Sequence, residues 1–176
     1  MKKLTVLLVL AVMLVFTMGA SAQEFSAENM KFVGGISYNM YGDSPTYKVE
    51  DGLGFYLGGQ YWFDPEMAVE MGYDRAMTKI NEEDGSLSGL YGKFVYAVSP
   101  MMHLKGGLGY YSLKADAVDD GKGIGFLVGG DYKYPIDEGM SLVGSVNYRM
   151  ANMKLNDEEE LDMSGLSISG GVCIKY

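Results

Sequence analysis

The chain has 176 residues, one cysteine and a formal net charge of −9. Its length suits one domain with a sizeable core, not two. Cys173 alone rules out an intramolecular disulfide, and the acidic balance argues against a nucleic-acid partner.

Residues 1–22 read as a signal peptide. Lys2 and Lys3 form a basic start, Leu4 to Met18 an apolar run, and Ala20-Ser21-Ala22 a small-residue cleavage site before Gln23. The run is short for a spanning helix, and no cysteine follows it to carry a lipid anchor. Cleavage leaves 12 basic residues against 23 acidic ones, a net charge of −11. Residues 23–30 then form a short N-terminal segment and 31–176 the folded domain.

After residue 22 no apolar run has the length of a membrane helix. Pro65, Pro100 and Pro135 instead lie 35 residues apart, each in a short turn segment. Longer polar stretches fall between and around them, at 42–51, 79–86, 114–122 and 152–162. These breaks bound eight segments, at 31–41, 52–63, 67–78, 87–98, 101–113, 123–134, 139–151 and 163–176. Each reaches the roughly 9–11 residues a tilted strand needs to cross a bilayer. Period-two alternation and paired glycines such as Gly58-Gly59 and Gly129-Gly130 oppose a helical solenoid. The repeat predicts β-hairpins joined alternately by short turns and long loops.

One face of these segments is apolar, as in Leu53, Phe55, Leu57, Tyr61 and Phe63 or Ile124, Phe126, Val128, Tyr132 and Tyr134. The other collects Lys31, Glu70, Asp74, Lys93, His103, Lys105, Asp131, Lys133, Arg149 and Lys175, with Arg75 the exception. A soluble sandwich would bury the apolar face. Aromatic placement points the other way: Phe32, Tyr61, Phe63, Phe94, Tyr96, Tyr132, Tyr134 and Tyr176 lie toward the short turns, and Tyr38, Phe55, Tyr73, Tyr110, Phe126 and Tyr148 toward the long loops. Two aromatic girdles put the apolar face against lipid and the charged face inside.

With these features the chain resembles the family of small eight-stranded outer-membrane β-barrel proteins over residues 31–176. The ending Leu166, Ile168, Gly170, Val172, Ile174, Tyr176 is similar to the alternating, aromatic-terminated last strand of that family, with Tyr176 where Phe is commoner. The resemblance implies an all-β fold, an eight-stranded antiparallel up-and-down transmembrane β-barrel after an N-terminal signal peptide. It also implies a place in the bacterial outer membrane with both termini periplasmic, and Tyr176 as an assembly signal read by the barrel-assembly machinery.

An eight-stranded barrel is just wide enough to be filled by its own side chains. The ten inward residues predict a lumen charge network in place of a hydrophobic core, because buried charges must be paired or wet. The alternative is a narrow small-solute or ion channel, mildly anion-preferring, since six basic residues face three acidic ones. His103 stands alone, without the companions a metal site or nucleophilic triad requires, and Cys173 falls on the inner face as a small packed residue. No catalytic residue, cofactor or metal is assigned, and the protein is expected not to be an enzyme.

The long loops are acidic. Asp43, Glu50 and Asp51 face Lys48; Glu82, Glu83 and Asp84 face Lys79; Asp157 to Glu160 and Asp162 face Lys154. They read first as a solvated surface, then as contacts for an extracellular partner or for divalent cations bridging to lipopolysaccharide. The expected role is structural or surface-interacting, with outer-membrane lipid and lipopolysaccharide as neighbours.

Overall fold

The computed structural model describes residues 26–42, 47–116, 118–155 and 159–176. Residues 1–22, expected to form a signal peptide, and three acidic loop residues named above, Asp43, Asp157 and Glu158, lie outside them. A single turn of 3-10 helix, Ala27–Asn29, leads into nine strand segments. These are β1 Met30–Tyr41, β2 Gly52–Trp62, β3 Met67–Ile80, β4 Glu83–Ala97, β5 Met102–Ala115, β6 Val118–Pro135, β7 Met140–Lys154, β8 Glu160–Asp162 and β9 Gly165–Lys175. Neighbours pair antiparallel, β9 pairs both β7 and β1, and the sheet is closed. β8 and β9 keep one register against β7, with Asn152 opposite Asp162 and Arg149 opposite Gly165, so they form one stave interrupted at Met163-Ser164. Eight staves make the barrel, and closure leaves no unpaired edge.

The register fixes how the staves are staggered. From Gly144 a row of facing residues runs through Gly170, Ile36, Phe55, Arg75, Ser88, Ser112 and Lys122. It returns to β7 at Lys154, ten residues beyond its start. Such a shear tilts the strands by roughly 35–45°.

At one end three turns share one design. The oxygen of Asp64, Ser99 or Asp137 accepts the backbone N–H groups two and three residues on, at 2.7–2.8 Å for Asp64 and Asp137 and 3.0–3.4 Å for Ser99. The N–H of Phe63, Val98 or Ile136 closes each turn on the carbonyl four residues later. Pro65 and Pro100 occupy equivalent positions; the third counterpart is Glu138, while Pro135 ends β6 opposite Ser141. The third turn is therefore displaced from the 35-residue spacing of the prolines.

At the other end the strands outrun the expected segments. The stretch 79–86, expected to be a long loop, is the tip of a continuous hairpin that turns in two residues, Asn81 and Glu82, at φ 51° and 72°. Those paired positive φ values belong to a type I′ turn, whose twist matches that of the strands. The stretch 114–122 likewise is mostly strand, and β7 runs to Lys154. β2 is too short to follow β3 to its tip, and residues 47–50 cover the gap: Val49 bridges Ile80 and Glu50 N–H donates to the Lys79 carbonyl at 2.8 Å.

Candidate functional site in the barrel lumen

Because side chains alternate along each strand, one parity of every stave points inward. The lumen fills in layers from the short-turn end upward. Around its mouth lies a vestibule of about 790 Å³, lined by Lys31, Trp62, His103 and Lys175 among others. Trp62 is buried and packs with Ala68 and Val95. His103 meets its ring edge-on at 5.5 Å between centroids, and the ammonium groups of Lys31 and Lys133 stand 4.6 and 5.3 Å from it. The indole thus receives two cations, neither of which forms an ion pair with a carboxylate among the described residues. Lys175 has the inward parity but is exposed at the rim, so it stands outside the buried network. A lysine on the last residue of its strand has no further turn of barrel to cover it.

The next layer holds Glu70, 1% exposed. Its carboxylate takes Lys105 at 2.6 Å, Lys93 at 3.5 Å and the Gln60 amide at 2.6 Å. Lys105 also reaches Asp131 at 2.5 Å, and the Gln60 carbonyl accepts from Lys133 at 3.1 Å. Above it Arg149 lies 3.7 Å from Asp74, donates to Asn39 at 3.3 Å and stacks 4.9 Å from the Tyr111 ring. Three carboxylates, Glu70, Asp74 and Asp131, pair with three cations, Lys93, Lys105 and Arg149, while the buried Lys133, held by Gln60, adds a fourth cation. Between these groups a polar cavity of about 50 Å³, touched by Tyr56, Tyr91, Asp74 and Arg149, is of the scale of a few waters. Cys173 is buried beside Val33 and Val143.

The end opposite the short turns departs from the expected charged filling. Ile80, Leu87, Tyr111, Leu113, Met153, Leu161 and Met163, each 0–1% exposed, are the most deeply buried members of an apolar cluster. The alternation has inverted there: Lys79, Ser86, Lys114 and Lys154 point outward while the apolar residues turn in. Within the bilayer lipid demands an apolar exterior; beyond it water does not, and the hairpins are built like a soluble barrel.

Five inward strand aromatics were not singled out in the sequence: Tyr41, Tyr56, Trp62, Tyr91 and Tyr111. For Tyr91 and Tyr111 the signal is the set of inward glycines on their own and adjoining strands. A Cβ at Gly89 would stand 2.3 Å from the Tyr111 ring, one at Gly109 2.6 Å and one at Gly125 3.0 Å. Gly72 makes the same room for Tyr91, at 2.4 Å from its hydroxyl. These glycines are kept for space; none among the described residues has positive φ.

On the outer surface, Phe32, Ile36, Leu57, Phe94, Phe126, Val128 and Ile168 are all more than 40% exposed, a continuous apolar belt on a closed barrel. Tyr176, 76% exposed, sits edge-on to Phe32 at 6.5 Å in the girdle nearer the turns. Among the described residues no cluster of three or more His, Cys, Asp or Glu is placed to hold a metal ion.

A closed barrel, apolar outside and polar at its centre, defines an integral membrane β-barrel. The sequence matches the family described as outer membrane protein beta-barrel domain over residues 8–172, and the chain belongs to that family, whose place is the bacterial outer membrane. Among solved structures it is similar to Neisserial surface protein A, at 16% identity and a TM-score of 0.64, over 88% of this chain and 100% of that one. It is also similar to OprG of Pseudomonas aeruginosa, at 13% identity and TM-score 0.55, over 84% and 95% of the two chains. The attachment invasion locus protein Ail of Yersinia pestis follows at 14% and 0.53, over 84% and 96%. No curated protein matches the chain in sequence.

Proposed function

We propose that the protein is a non-catalytic surface barrel with a plugged lumen, its termini and short turns in the periplasm and its long hairpins outside the cell. The observation that carries this reading is the apolar cluster around Tyr111 and Leu113, stacked on an ion-paired layer around Glu70 and Lys105. A solute would have to displace fully buried side chains at the outer end and break ion pairs below them. The β3–β4 hairpin then presents an acidic tip, Glu82, Glu83 and Asp84, to an extracellular partner.

Two measurements test the reading. The mature chain, refolded to a heat-modifiable form and placed in a planar bilayer, should be electrically silent; steady conductance would overturn the plugged lumen. In intact cells, a membrane-impermeant maleimide should label a Glu82→Cys variant and leave Glu66→Cys unlabelled, both in a Cys173→Ser background. The opposite pattern would reverse the orientation.

A further inference from the structure

The outward surface of β3–β6 changes character within one step of the register. One outward row, Tyr73, Leu90, Tyr110 and Ile124, is apolar and belongs to the girdle nearer the hairpins; Leu90 is 65% exposed. The next, two residues or roughly 7 Å further along the strands, reads Arg75, Ser88, Ser112 and Lys122. Beyond it Ser86 faces Lys114. Three hydroxyls therefore form a floor flanked by three cations. Arg75, Lys114 and Lys122 are exposed, and among the described residues none has a carboxylate within ion-pair distance. Arg75 bends over this floor, donating to Ser86 Oγ at 3.4 Å. Exposed Asp120 on β6 and Asp84 on β4 lie two residues from Lys122 and Ser86, yet neither forms an ion pair with these three cations.

We infer that this patch binds the phosphate of an outer-leaflet lipid headgroup. Acyl chains lie along Leu90, Tyr110 and Ile124, and the phosphate they carry arrives at the cation and hydroxyl rows immediately above. Guanidinium and ammonium donors with serine hydroxyls are the groups that recognise a phosphate monoester at an interface. The continuity of apolar wall and cationic shelf selects a lipid over a soluble anion, which has no use for the wall. The inference rests on the proposed orientation, with the hairpins in the outer leaflet.

The test uses the mature chain refolded in detergent micelles, with gel mobility before and after heating as the check on folding. Bisphosphorylated lipid A is the probe, followed by calorimetry and by the rise in the unfolding midpoint. The Arg75→Gln/Lys114→Gln/Lys122→Gln variant should fold and bind at least tenfold more weakly. Lipid A stripped of both phosphates should bind the unaltered chain equally weakly, and the Lys48→Gln/Lys175→Gln control should bind as the unaltered chain does. Equal affinity of the triple variant, or equal loss in the control, overturns the site. Heparin displacing lipid A through the same three residues, with dephosphorylated lipid A bound as well as the phosphorylated form, would give the patch to a soluble polyanion and overturn the lipid reading. Micelle binding does not depend on orientation in cells, so failure here and failure of the maleimide pattern are separate results.

Discussion

Lys105 Nζ lies 2.6 Å from Glu70 Oε2 although β4 separates their strands, and the same ammonium reaches Asp131 on β6 at 2.5 Å. One side chain thus ties three staves across the lumen, and Lys93 on the intervening β4 completes the set at 3.5 Å from Glu70.

Neutralising Glu70 leaves Lys93 without its ion-pair partner and Lys105 with Asp131 alone. Glu70→Gln is expected to cost about 3–5 kcal/mol, because removing one partner of a buried pair leaves the other charge uncompensated. Urea unfolding in lipid bilayers, read by heat-modifiable mobility, measures it. In a double-mutant cycle Lys105→Met should recover part of the loss; strict additivity would mean that the two groups do not interact in solution.

The glycine positions give a paired test of packing. Gly89→Ala drives a Cβ to 2.3 Å from the Tyr111 ring and 2.5 Å from Asp74, and is expected to destabilise by about 1–3 kcal/mol. Gly92→Ala lies on the same strand with open space around it and should change the midpoint little. Equal effects would place the cost in strand propensity and not in room for the tyrosine.

Opening the outer cluster should expose what it seals. Tyr111→Ala removes a 0% exposed ring and is expected to cost about 3–5 kcal/mol in stability, as large-to-small core substitutions do. In a planar bilayer, Tyr111→Ala combined with Leu113→Ala should show brief openings that the unaltered chain lacks. A silent double variant would place the seal in the ion-paired layer below.

At the tip of β3–β4, Glu82 holds φ 72°, a conformation costly for a side chain with Cβ. Glu82→Gly creates the Asn-Gly pair that type I′ turns favour and should stabilise by about 0.5–1 kcal/mol. A lowered midpoint would mean that the Glu82 side chain contributes more than the strain removes.

The sequence by itself determined which residues share a face. Strand side chains alternate with a strict period of two, so the parity that carries Glu70, Lys105, Asp131 and Arg149 was readable from local spacing, as were the two aromatic girdles. The Asp and Ser residues that close the short turns act over two or three residues and were equally local. Closure decided the rest. Which inward residues meet depends on a stagger of ten residues accumulated around eight staves, and no single segment encodes it. That stagger brings Lys105 to Glu70, seats Tyr111 over Gly89, and leaves Lys175 at the rim. It also carries the hairpins past the bilayer, where the solvent on the outer face changes from lipid to water and the pattern of apolar and polar residues turns inside out. A stretch such as 79–86 looks like a loop when read for polarity alone, and becomes strand only when Ile80 and Leu87 find a common interior.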